Sequence, residues 1–88
     1  MNKDLINSAN PFDVLHAAYA ALSGAQDKRP EAQVLGFAVL FREAATVLRL
    51  DHSELMRIAE SICKDADAPW FSNVRALREY IDKEVKRG

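Results

Sequence analysis

Residues 31–50, Glu31-Ala32-Gln33-Val34-Leu35-Gly36-Phe37-Ala38-Val39-Leu40-Phe41-Arg42-Glu43-Ala44-Ala45-Thr46-Val47-Leu48-Arg49-Leu50, decide the fold. Thirteen of these twenty residues are apolar, too many for one stripe of a surface helix. Pro30 stands just ahead of them, at the position where its missing N–H is harmless in a first turn, so the spacing predicts one long helix over 30–50. On a wheel of about 100° per residue, Val34, Phe37, Ala38, Phe41, Ala44, Ala45 and Leu48 form the principal face. Leu35 and Val39 point almost the opposite way. From Arg42 onward, Arg42, Glu43, Thr46 and Arg49 restore a polar side. The first half of this helix therefore calls for cover all round. Gly36 costs about 1 kcal/mol there relative to alanine, and a close helix crossing is the usual compensation.

The segments on either side are helical too. Asn10-Pro11 is a capping residue followed by a first-turn proline, and Ser23-Gly24 is a stop, which bounds a helix over about 11–22. Phe12, Leu15, Tyr19 and Leu22 share one face of it, and four alanines keep the rest of the cylinder thin. Asp51-His52-Ser53-Glu54 opens a helix over 52–64, with Asp51 as the cap and Glu54 reaching back. Its apolar stripe is Leu55, Ile58, Ala59 and Ile62. Asp65 to Pro69 breaks the chain, and Ser72 is placed to cap a last helix over 72–86 with Val74, Leu77, Ile81 and Val85 as its stripe. Arg75 with Glu79, Arg78 with Asp82 and Asp82 with Lys86 are spaced as i, i+4 pairs along its wet side. No period-two alternation is long enough for a strand. The expectation is an all-α, compact bundle of four helices, preceded by a short irregular N-terminus, forming a single helical domain over 1–88.

Composition narrows the function classes. With 88 residues there is room for one domain and a thin core, so a partner subunit would add useful cover. The formal charge of −1 provides no overall field for nucleic acid or acidic lipid. The longest apolar run, from Val34 to Phe41, falls far short of the roughly 20 residues that cross a bilayer. A single cysteine, Cys63, cannot form an internal disulfide and fits a reducing cytoplasm. The polar N-terminus has no apolar run of the kind a leader needs, so it is expected to be retained.

Groups that carry chemistry are missing. His16 borders the apolar face of its helix and reads as a partly buried structural histidine, and His52 is a first-turn residue. Neither stands in a metal-binding spacing with cysteine or carboxylate. Asp65 and Asp67 start like a calcium loop, but Ala68-Pro69 replaces the further ligands and the required glycine. Three glycines cannot supply a phosphate-cradling or nucleophile-elbow motif. The expectation is a protein that is not an enzyme, with no catalytic residues, metal or cofactor.

Residues 42–58 resemble the helix-turn-helix of the Fis type, through Ala44-Ala45, Leu48 and Leu50 around the turn, Ser53, and then Leu55 and Ile58. Small Ala44 and Ala45 would let two helices cross closely while the leucines seal the turn. The resemblance implies DNA contact through Ser53, Glu54 and Arg57. Arg49 occupies the place of the family's turn glycine, and residues 51–74 carry five acids against two bases, the wrong sign for phosphate. In the C-terminal run Arg75, Arg78, Lys83, Lys86 and Arg87 outnumber the acids by two, a small excess on an internally paired face.

Two readings follow. The first is a small non-enzymatic protein–protein interaction module, a regulator, adaptor or inhibitor acting as a cytoplasmic homodimer, with Leu35, Gly36 and Val39 at the interface. Trp70 and Phe71, beside Pro69, are further candidate anchors, since aromatic residues dominate interface energetics. The alternative is a helix-turn-helix transcriptional regulator using residues 42–58. Neither reading involves a membrane.

Overall fold

The computed structural model describes residues 2–86, and over these the protein is all helical. The elements are α1 (Lys3–Asn7), α2 (Pro11–Gly24), α3 (Pro30–Val47), α4 (His52–Lys64) and α5 (Phe71–Tyr80), the last running into a π-helical turn, Ile81–Val85. The expected bundle is present with adjusted bounds, those of α5 among them. Residues 3–7 form a helix where an irregular N-terminus was expected: Asn2 caps it, its side chain accepting from the Asp4 N–H at 2.8 Å. Helix α2 runs through Gly24 to a cap at Ala25. Helix α3 stops at Val47 instead of Leu50.

The early stop of α3 has a clear cause. Leu50 N–H donates to Ala45 C=O at 2.8 Å and Arg49 N–H to Thr46 C=O at 3.3 Å, the paired bonds of a Schellman turn, with Arg49 in the left-handed region at φ 56°. Glycine is the residue suited to that position, and an L side chain there costs on the order of 1 kcal/mol. Arg49→Gly is accordingly expected to raise stability by about 1 kcal/mol in urea unfolding. Unchanged or lower stability would show that the arginine side chain compensates for the strain.

Caps explain the other boundaries. Asn10 accepts from the Phe12 N–H at 2.8 Å and Asp51 from the Glu54 N–H at 3.0 Å, as the sequence suggests. Glu54 does not reach back toward Asp51; its carboxylate takes Arg57 at 2.5 Å, a charged donor in place of a backbone amide. Ser72 lies inside α5 and does not cap it, because the turn through Trp70 starts the helix earlier and without a side-chain cap. Past Tyr80 the bonding widens, Lys86 N–H donating to Ile81 C=O at 2.9 Å. That extra residue per turn shifts the apolar stripe, so Val85 is buried while Ile81 faces out.

The core is small: Leu15, Leu22, Ala45, Val74 and Val85. Helices α2 and α5 pack directly, with the Tyr19 and Tyr80 rings edge to face at 4.9 Å. Trp70 ties three helices together. Its ring meets Phe12 of α2 edge-on at 6.4 Å, and its Nε1–H donates to the Ile62 carbonyl at the end of α4 at 3.0 Å. Arg78 donates to the neighbouring Cys63 carbonyl at 3.0 Å and lies over the Phe71 ring at 5.5 Å. Two otherwise free carbonyls of the last turn of α4 are thus satisfied from α5 and its entrance. The molecule is flattened, 37 × 33 × 18 Å, and its radius of gyration of 13.6 Å exceeds the roughly 12 Å of a spherical chain of this length.

Candidate interaction surfaces

Helix α3 is fastened at both ends but not enclosed. At its start Gln33 is buried, its Nε2 donating to the Lys28 carbonyl at 2.8 Å while its Oε1 lacks a partner. At its end Ala45 is buried, and Phe41 meets His52 of α4 edge-on at 5.7 Å. Gln33, Phe37, Phe41 and Ala45 make the covered stripe. This corrects the expected principal face: Val34, Ala38, Ala44 and Leu48 are exposed outside it, and a glutamine takes the first place in it. Hydropathy reading passed over Gln33 because it is polar; its spacing of four residues from Phe37 was the available signal.

The opposite side is open. Leu35 is 67% exposed and Val39 53%, and on the two flanks Val34 and Leu40 are 62% and 60% exposed. Gly36 lies among them and a Cβ built there would have nothing within 4 Å, so the expected close crossing at Gly36 does not occur within the chain. Helices α2 and α5 spend their stripes on each other, and neither is turned to this side of α3. Single exposed apolar residues, such as Val14, Met56 and Ile81 on the other helices, are ordinary on a monomer; Leu35 and Val39 differ in being neighbours one turn apart on one face.

The remaining predicted site residues sit elsewhere. Trp70 and Phe71 are half-buried and engaged with Phe12, Ile62 and Arg78. Ser53, Glu54 and Arg57 are exposed on α4, with Arg57 bound to Glu54. That hydrogen bond raises the Arg57 pKa. His16 is exposed, because the covered face of α2 is carried by Leu15 and Leu22 one and six residues away. Cys63 is half-buried and unpaired with another thiol. Asp65 forms a local turn, accepting from the Asp67 N–H at 3.2 Å. Among the described residues no group of three His, Cys, Asp or Glu could hold a metal ion, and no helix is long and apolar enough to cross a membrane.

The charged surface is mostly paired along single helices. Of the expected pairs, Asp82 with Lys86 forms at 3.3 Å. Glu79 takes Lys83 at 2.6 Å instead of Arg75, and Arg78 turns to the Cys63 carbonyl instead of Asp82. Arg87, counted in the basic run, lies outside the described residues. Hydrogen bonds from Arg29, Lys64 and Lys83 hold the carboxyls of Glu31, Glu60 and Glu79 below the usual glutamate range. A depressed carboxylate contributes stability fully above its unfolded pKa and loses it as pH falls through the folded one. The urea midpoint is therefore expected to hold from neutral to mildly acid pH and to decline once these glutamates protonate. High salt should shrink the decline, since all three groups are exposed. A midpoint rising on acidification would contradict this assignment.

No protein-family model matches the chain, and no curated protein or solved structure is similar enough to report. The functional reading therefore rests on the surfaces alone.

Proposed function

We propose that the protein is a small non-enzymatic helical module that acts by binding protein, and that its first partner is a second copy of itself, docked through α3. The observation that carries this is the strip formed by Leu35, Gly36 and Val39, apolar and open on a helix whose other side is packed. An antiparallel pairing of two α3 helices about a two-fold axis near Gly36 sets Leu35 against the partner's Val39. A two-fold contact of this kind is isologous, each copy presenting the same strip. Gly36 then lies at the crossing, where the missing side chain lets the backbones approach, and its cost to helix stability is offset between copies.

Size-exclusion chromatography with light scattering at micromolar concentration tests the reading. The expected mass is twice 9.8 kDa; a mass near 9.8 kDa removes the homodimer. Whether the dimer serves as a regulator, adaptor or inhibitor is a question about the next partner.

A second reading, a helix-turn-helix regulator contacting DNA through Ser53, Glu54 and Arg57, is favoured by one observation. Arg49 adopts the left-handed conformation at the place where the Fis-type turn has glycine. Against it stand the Arg57–Glu54 pair and the acidic charge of residues 51–74. Anisotropy titration of duplex DNA decides it: tight binding that weakens steeply with salt and is lost in Arg57→Ala supports DNA recognition, and flat titrations end it.

A further inference from the structure

Helix α1 lies over α4 with a hollow on each side, one of about 220 Å³ and one of about 410 Å³. Ile6, Asn7 and Ile58 border both, so α1 stands beside α4 as a narrow plug between them. Leu5, next to Ile6, is 66% exposed. Among the described residues, every hydrogen bond of α1 stays within residues 2–9. Five residues are too few to hold a helix by themselves, and what α1 has besides its Asn2 cap is half-buried Ile6.

The bed beneath it is longer than the plug. Leu50 and Leu55 wall one hollow, Ile62 and Trp70 the other, spanning the 13 residues of α4 or about 20 Å, against about 7 Å for α1. Its rim carries Asp51 and Glu54 at one end, Asp65 at the other and Arg57 paired with Glu54 at 2.5 Å, a net acidic balance of two charges. The plug itself shows what chemistry fits, because Lys3 lines the same hollow as Asp51 and Glu54, and Ile6 the same hollow as Ile58. We propose that this bed is a second docking site, independent of the α3 face, closed in the free chain by α1 and taken by a basic amphipathic helix of a partner protein when α1 lifts away. Such a helix lays an apolar stripe along Leu55, Ile58 and Ile62 and sets Lys or Arg against the acidic rim.

The test is an anisotropy titration of a labelled Leu/Lys amphipathic peptide of about 14 residues with the full chain. The wild type should bind it, and Ile6→Ser, which loosens the plug, should bind about five- to tenfold tighter, because less of the protein is held in the closed form. Leu55→Asp and Glu54→Lys should weaken binding, with circular dichroism confirming that both variants keep their helix content. Leu35→Asp/Val39→Asp should leave it unchanged. A flat titration with Ile6→Ser overturns the proposal. So does equal binding of a peptide with Glu in place of Lys, or binding lost in Leu35→Asp/Val39→Asp but not in Leu55→Asp.

Discussion

Leu35→Asp/Val39→Asp is expected to raise the dissociation constant of the proposed homodimer by about a thousandfold or more, leaving a folded monomer. Each substitution sets a charge in the middle of the apolar strip, and an interface centre loses on the order of 2 kcal/mol or more per disrupted anchor. The folded monomer should barely notice, because both positions face water in a single copy, where substitutions shift stability by no more than about 0.5 kcal/mol. Sedimentation velocity reads the first effect and urea unfolding at low concentration the second. Loss of helicity in the double variant, or an unaltered sedimentation profile, would mean that the strip has a different role.

Trp70→Ala should lower stability by about 3 kcal/mol, the range for losing a large aromatic from a packed site. Three effects coincide there: the Phe12 edge contact goes, the Ile62 carbonyl loses its donor, and a void opens where α2, α4 and α5 meet. Trp70→Phe retains the ring but not the N–H, so its cost should be near 1 kcal/mol, that of one hydrogen bond. Chevron or equilibrium urea data separate the two. If Trp70→Ala cost no more than Trp70→Phe, the ring would not be joining the helices. With a core of five buried apolar side chains among the described residues and total stability of a few kcal/mol in prospect, the alanine variant should be largely unfolded at 37 °C.

The helices were legible because capping signals act locally. Asn10 and Asp51 bind the amides their positions imply, and Pro11 and Pro30 start their helices in place. What could not be read depended on contacts between helices. A serine at position 72 looks like a cap until Trp70 is seen reaching back to Ile62, which starts α5 earlier. Ile81 and Val85 share a stripe at regular helical pitch, and only the widened turn sets one in and one out. Leu50 was read as the end of α3 since apolar periodicity runs through it, whereas the left-handed Arg49 ends the helix sooner despite an unsuitable side chain.

For the candidate surface, the wheel placed Leu35 and Val39 away from the main stripe, and they are open in the folded chain. The direction of that stripe was less well read. Gln33 replaces Val34 on the covered side, which turns Val34 outward. A hydropathy wheel weights a glutamine against burial, yet one donor bond to the Lys28 carbonyl fixes this one in the interior.

The claim that α3 pairs with its own copy is tested most directly by isotope-filtered NMR on a mixture of labelled and unlabelled wild-type chains. Methyl contacts between copies joining Leu35 to Val39, strongest around Gly36, are the predicted result. Contacts between copies that arise from other helices, or none at concentrations where the chain is fully folded, would contradict it.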